Sequence, residues 1–384
     1  MQIKEFWSAP VKFWLALRAV TVVVATLAFL YENANKIFGI NQVLSGPWYR
    51  YDTFYYVQIV THGYQSGAIT SGFHPLYPWL SKLPYLILGK PILSLMLISS
   101  LAGLLLTIAF YQLALKDVAP EQARVATMLF LCWPVAVSLF VPYTEALFLL
   151  LAVISIRAAR DHKPWLAAIV AAFACLTRQH GLFLALPLAW EILETANYKW
   201  QNLRRSWTNI LSLCLIPLAY GLWIAYRAIA INDLNPDFSS PQRFIYSVMI
   251  SSSAYQVFAT QEFLPPWVAL GRAITTLYRG NVHWSAYADA FFALLFIGVL
   301  VIAWRNLRAS YRIYCLAIVL VSLSYYTGSL NPYTSLPRHM FVAFPVFIGF
   351  AARYKFHRPG FVLAVLSICQ QLVLCWFVWQ IWVL

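Results

Sequence analysis

The sequence predicts an all-α, multi-pass integral membrane protein, and three observations carry that expectation. Of the 384 residues, 61% are hydrophobic and only 10% are charged, where a soluble domain carries roughly 25% charged residues. Apolar runs long enough to cross a bilayer, about 20 residues each, recur from Phe13 to the end of the chain. These runs are continuous, as in Val20–Leu30 and Leu93–Ala109, whereas a membrane barrel would alternate in ten-residue strands. In hydrocarbon the backbone must satisfy its own hydrogen bonds, so continuous apolar runs fold as helices.

Taken in order, the candidate spans are 13–30, 91–115, 123–140, 143–158, 164–177, 181–193, 208–230, 286–304, 313–330, 339–352 and 360–383. The charges between them set the threading. With the N-terminus in the cytosol, one side receives Lys4 and Lys12, Lys116 and Arg124, then Arg157, Arg160 and Lys163. The same side receives Lys199, Arg204 and Arg205, then Arg305, Arg308 and Arg312, and finally Arg353, Lys355 and Arg358. Every loop on that side is basic, as the positive-inside rule requires. Fusing the two short spans between 164 and 193 would invert the pattern downstream, so eleven spans is the expected count. Lys4 and Lys12 precede the first run without a clear small-residue cleavage site, which reads as an uncleaved first membrane helix.

The formal charge of +14 does not mark a nucleic-acid surface, because the cations are dispersed in small groups between spans. Cys132, Cys175, Cys214, Cys315, Cys369 and Cys375 lie within or beside apolar runs and show no metal-ligand spacing. They read as small buried hydrophobes.

Two long segments, 31–90 and 231–285, fall on the non-cytosolic side. Both are rich in Trp, Tyr, Phe and Pro, the composition of the interfacial belt. The second holds Phe263, Pro265, Pro266 and Trp267, followed by a stretch to Leu277 that fits an interfacial helix. No internal repeat divides the chain, so residues 1–384 read as one membrane domain.

The ionisable residues of this outer side stand out. A helix starting near Asp52 would align Asp52, Tyr55, Tyr56 and Ile59 on one face; Asp52 either caps that helix or serves chemistry. His74-Pro75-Leu76-Tyr77-Pro78 is broken by proline and reads as a rigid interfacial loop, with His74 as a second candidate for proton transfer. Pro142-Tyr143-Thr144-Glu145 brings a carboxylate to the end of an apolar span, where an unpaired charge is costly and calls for a partner or a task. Arg178-Gln179-His180-Gly181 and Ser335-Leu336-Pro337-Arg338-His339 place two arginines in short outer links, against the positive-inside trend. Arginine's planar fork suits phosphate, although snorkelling to lipid headgroups accounts for it as well. The threading gathers all seven of Asp52, His74, Glu145, Arg178, His180, Arg338 and His339 at one membrane face.

One acid and several cations at such a face suit transfer of a sugar from a lipid-linked phosphate. Arginines stabilise the departing phosphate, and a carboxylate on the opposite side of the anomeric carbon takes the proton of the incoming hydroxyl. A transporter or flippase would instead place ionisable groups mid-span and show two related halves. A non-catalytic subunit of a glycan-assembly complex remains the other alternative.

Certain motifs are similar to those of the GPI mannosyltransferase II family, which adds the second mannose of the glycosylphosphatidylinositol core, and more closely to its shorter bacterial relatives. They are Tyr51-Asp52 with Tyr55 and Tyr56, His62-Gly63-Tyr64, Phe73-His74-Pro75-Leu76-Tyr77-Pro78, Pro142 to Phe148, Arg178-Gln179-His180-Gly181, and Arg338 followed by Phe344-Pro345, in family order. The resemblance implies a GT-C glycosyltransferase fold, a polyprenyl- or dolichyl-phosphate sugar as donor, mannose as the sugar, and Asp52 as catalytic base. It departs from the pattern at Tyr51, where Trp is common, and at His74, where a second Phe is usual. Arg178, Arg338 and His180 are expected at the donor phosphate. His74, Tyr77, Tyr143, Glu145, Tyr55, Tyr56 and His339 are expected around the sugar, with no metal or other cofactor. The expected partners are the lipid donor, a lipid or glycan acceptor and membrane lipids, at the outer face of a bacterial inner membrane.

Overall fold

A computed structural model describes residues 9–249, 261–354 and 359–382. Lys4, Lys355 and Arg358, three of the expected cytosolic cations, lie outside the described residues, as do 250–260 of the second outer segment. The principal helices are α1 (Ala9–Glu32), α2 (Asp52–His62), α3 (Leu76–Leu88), α4 (Pro91–Ala114), α5 (Pro120–Cys132), α6 (Glu145–Arg160), α7 (Pro164–Cys175) and α8 (Ala185–Thr195). They continue with α9 (Leu215–Tyr226), α10 (Pro266–Arg279), α11 (Trp284–Ala303), α12 (Ala309–Ser324), α13 (Leu336–Phe341), α14 (Val346–Arg353) and α15 (Pro359–Val378). The protein is a helical multi-pass membrane bundle. Its one described sheet is a two-residue antiparallel ladder, β1 (Glu262–Phe263) on β2 (Tyr325–Tyr326), pairing Glu262 with Tyr326 and Phe263 with Tyr325.

Five helical stretches are long and apolar enough to cross a bilayer unaided: Ala9–Glu32, Pro91–Ala114, Trp207–Ile231, Trp284–Asn306 and Pro359–Val378. Pro164–Cys175 and Ala309–Ser324 are apolar but shorter. Several expected spans are not single helices. The run 123–140 breaks at Pro134 into α5 and the 3₁₀ turn Pro134–Leu139. The run 181–193 opens as a 3₁₀ segment, Gln179–Leu184, before α8. The run 339–352 divides into α13 and α14, with Pro345 at the start of the latter. Proline cannot donate to a helix already under way, and its ring clashes with the preceding turn. Hydropathy counts such a run as continuous; the backbone does not.

The proline argument errs in the other direction at 74–78. Instead of a rigid loop, α3 begins directly after His74-Pro75 and runs to Leu88. Pro78 is the third residue of α3 and so lies in the first turn, where backbone N–H groups have no intrahelical acceptor to lose.

Breaks inside a membrane leave carbonyls unmatched, and two polar side chains cover those beneath the site. The Gln370 amide, fully buried on α15, donates to the Leu131 carbonyl at 2.8 Å and to that of Trp133 at 3.4 Å. Arg18, on α1, donates to the carbonyl of Phe140 and lies over the Trp48 ring at 5.6 Å.

Helix α6 shows how charge divides between the ends of the bundle. Its N-terminal residue, Glu145, meets arginines, while its C-terminal residue, Arg160, lies about 22 Å away along the axis at 1.5 Å per residue. At that far end Arg160 pairs with Asp117 at 2.6 Å and donates to the Tyr311 hydroxyl at 2.7 Å. Arg308 pairs there with Glu194 at 2.8 Å. The basic loops thus gather at one end, and the residues singled out above lie at the other.

Candidate active site

Two short elements carry the main charged groups, and each is entered through a strained residue. Tyr51, with φ of 43°, turns the chain into α2, whose first residue is Asp52. Ser335, with φ of 60°, turns it into α13, which carries Arg338 and His339. Positive φ in a non-glycine residue costs of order 1–3 kcal/mol and persists only where surrounding contacts hold it. The Tyr51 ring packs on Phe377 of α15 at 5.6 Å, which helps to hold the first of these turns.

Asp52, Tyr55 and Tyr56 share the face expected of them and line an open cavity of about 340 Å³, while Ile59 turns into the core. The Tyr55 ring stacks on Phe73 at 5.1 Å, and Tyr56 meets Phe73 and Tyr77 edge-on, each at 5.1 Å. Arg178, His180, Arg338, His339, His74 and Thr144 line the same cavity.

The charged groups form one chain. Arg338 Nη1 donates to Asp52 Oδ2 at 2.9 Å, and Arg338 Nε lies 3.3 Å from Glu145 Oε1. Arg178 Nη1 also donates to Glu145 Oε1 and to the Thr144 hydroxyl, the latter at 3.0 Å. Two carboxylates and two guanidinium groups therefore balance. Exposure separates their tasks: the Glu145 side chain is fully buried, while that of Asp52 is 26% exposed and open to the cavity. The Arg338 guanidinium also lies 5.0 Å above the ring of Tyr143, a cation–π contact that supports it from below. Asp52 Oδ1 makes no hydrogen bond among the described residues.

Three imidazoles complete the wall. His180 and His339 stack at 5.5 Å with 16° between planes, and Arg178 Nη2 lies 3.4 Å from His339 Nδ1. His74 lies over Tyr220 at 5.9 Å. Burial, reinforced by the positive fields of Arg227 and Arg178, pushes His74 down to about 3. Burial and the neighbouring Arg178 likewise push His180, in the link before α8, well below its ordinary value. These two rings are neutral at pH 7 and offer hydrogen bonds without charge. Gly181 is required beside them, because a Cβ there would meet the backbone nitrogen of Cys175 at 2.4 Å.

The structure brings together Asp52, Tyr55, Tyr56, His74, Arg178, His180, Arg338 and His339. Three residues expected around the sugar do not reach the cavity. Tyr77 is fully buried and bonds to the Leu95 carbonyl at 3.0 Å and the Ser99 hydroxyl at 2.8 Å, buttressing Tyr56. Tyr143 lies beneath Arg338, and Glu145 lies behind both arginines. All three are buried by the packing of α3, α4 and α6, which no local spacing reveals.

Other cavity residues were not foreseen. Gln261, Phe263 and Tyr325 enter through the β1–β2 ladder, a long-range pairing that leaves no local signature, and Ser322 lines the cavity from the end of α12. Asp289, which does not line the cavity, is a lone acid inside the apolar run 286–304. It is buried in α11 and accepts from the Trp382 indole at 3.2 Å.

The fold is thus a multi-pass bundle of interrupted helices with a polar cavity at one end. Residues 73–224, less than half of the chain, match the dolichyl-phosphate-mannose-protein mannosyltransferase family. Among solved structures, the chain is similar to ArnT from Cupriavidus metallidurans bound to undecaprenyl phosphate. That likeness has a TM-score of 0.53 at 14% identity, over 91% of this chain and 62% of that one. It is also similar to the apo oligosaccharyltransferase of Archaeoglobus fulgidus, with a TM-score of 0.51 at 14% identity, over 97% and 56%. The chain therefore spans under two thirds of the length of either protein. At this identity the likeness is one of fold. No curated protein sequence matches the chain.

Proposed function

We propose that the protein is an inverting glycosyltransferase that moves a sugar from a polyprenyl-phosphate donor to a lipid-linked or glycan acceptor. The observation that carries this reading is the juxtaposition of an accessible carboxylate, Asp52, with two cavity-lining arginines, Arg178 and Arg338. The family match of residues 73–224 and the fold shared with a protein solved with undecaprenyl phosphate support the donor class. The family's dolichyl-phosphate-mannose description supports mannose as the sugar, as does the resemblance to the GPI mannosyltransferase II family.

The reaction is a single displacement. The acceptor hydroxyl oxygen forms a bond to the anomeric carbon, and its proton passes to Asp52. The bond between that carbon and the phosphate oxygen breaks, and the phosphate leaves with the electron pair. Arg178 and Arg338 stabilise the charge that develops there, with the neutral His180 and the neighbouring His339 as further hydrogen-bonding groups. Tyr55, Tyr56 and His74 wall the sugar. Metal independence belongs to the same proposal, the arginines filling the role a metal takes in other phosphate transfers. So does a site on the outer face of a bacterial inner membrane, because the basic loops gather at the opposite end.

The test supplies purified protein in liposomes with radiolabelled polyprenyl-phosphate mannose and follows label into product. Transfer by the native protein and its loss in Asp52→Asn, with undecaprenyl phosphate binding retained, is the expected result. Equal turnover by the two proteins removes Asp52 from the mechanism.

A further inference from the structure

A second cavity of about 280 Å³ adjoins the first and is lined by Ser240, Gln242, Arg243, Tyr246, Gln261 and Glu262, with Phe263 and Leu264. Gln261 and Phe263 line both cavities, so these two side chains form a threshold between them.

The charges around this second cavity are committed to each other. Arg243 faces Asp237 at 3.7 Å, and Glu262 pairs with Arg272 at 2.6 Å. Neutral hydrogen-bonding groups remain: the Ser240 hydroxyl, the amides of Gln242 and Gln261, and an aromatic wall at Phe263 and Tyr246. A hydroxyl, two amides and two aromatic rings around one cavity suit a neutral polyhydroxylated ligand.

The Gln261 amide is oriented for this task. Its Oε1 accepts from the hydroxyls of Tyr246 and Tyr325, each at 2.5 Å. With its oxygen taken by these two donors, the amide has both N–H bonds of Nε2 without a partner among the described residues. Tyr246 is buried, and Tyr325 is held by the β1–β2 ladder, so the two hydroxyls hold the amide in place. The ladder also explains why a residue from the second outer segment stands at the cavity of Asp52 and Arg338.

We propose that this second cavity is the acceptor subsite, that it takes a neutral sugar headgroup, and that Gln261 guides the reacting hydroxyl over the threshold toward Asp52. This rests on the glycosyltransferase reading. The arrangement separates the substrates by charge: the anionic lipid phosphate belongs with the arginines, and the uncharged acceptor with the amides and aromatic rings.

The experiment uses a diazirine-bearing octyl mannoside as probe on the whole protein in detergent, with labelled peptides mapped by mass spectrometry. Labelling within 240–249 or 261–264, competed by plain octyl mannoside but not by octyl phosphate, is the expected result. No competed labelling, labelling confined to other regions, or stronger competition by octyl phosphate overturns the proposal. Gln261→Leu and, as a milder change, Gln261→Glu should each weaken competition by octyl mannoside at least tenfold. The melting temperature of both variants should stay close to native; a parallel loss of thermal stability would show a general collapse of the site and sink the role given to Gln261. Because the readout is binding, it separates from the transferase reading. Native protein that binds no undecaprenyl phosphate yet shows competed labelling refutes the donor assignment and leaves the subsite standing.

Discussion

Arg338 reaches Asp52 from 286 residues further along the chain and bonds it at 2.9 Å. The same guanidinium lies against the buried Glu145, so one arginine holds an accessible acid and an enclosed one at once. The two acids should therefore fail differently.

Asp52→Asn keeps the shape and removes the base. Turnover should drop by about 10²–10⁴, the usual contribution of a positioned general base, while melting temperature and undecaprenyl phosphate affinity stay close to native. Radiolabel transfer and a thermal-shift assay on the same preparation check both halves.

Glu145→Gln should act first on stability. It leaves Arg178 and Arg338 buried without their shared counter-ion, and breaking a buried pair costs about 3–5 kcal/mol. Urea unfolding in mild detergent measures this. A variant as stable as native would show that Glu145 does not hold the arginines.

Gly181→Ala tests the link that carries Arg178 and His180. The new methyl group would press on backbone atoms of Cys175 and Ala174 at 2.4–2.7 Å, and backbone cannot swing aside as a side chain can. Overpacking of this kind costs typically about 1–3 kcal/mol, and the displaced loop should lower lipid-phosphate affinity as well. Binding and unfolding measurements are both expected to move.

Acid should destabilise the fold through the neutral histidines. The unfolded His74 takes a proton near its ordinary value of 6.5, whereas the folded ring resists until about 3. Between these values the unfolded state binds more protons, so stability rises with pH and is fully present above about 6.5. It is lost as pH falls below that, by up to about 1.4 kcal/mol per pH unit for each such ring. His180 adds in the same direction. His74→Phe should flatten this limb, visible as a smaller melting-temperature difference between pH 7 and pH 5.

How much of this was legible depended on the range of the interaction. The helix starting at Asp52 follows from local spacing, and the gathering of Arg178, Arg338 and His180 with Asp52 follows from loop charges. An unpaired buried charge is costly, so charge patterning reports on assembly. The interior positions of Tyr77 and Tyr143 were hidden, because a tyrosine beside a membrane face packs inward or outward with the same sequence signature. Gln261 was hidden for a different reason: it reaches the site through the pairing of Phe263 with Tyr325, a contact between distant segments that nothing local encodes.

Gln370 offers a lesson about reading hydrophobicity in such a chain. By transfer energies alone, replacing it with leucine makes the last helix a better lipid-phase segment. Yet its amide supplies the donors that the interrupted backbone at Leu131 and Trp133 lacks, and leucine would strand both acceptors in an oily interior. A segment made greasier by Gln370→Leu should thus yield a less stable protein.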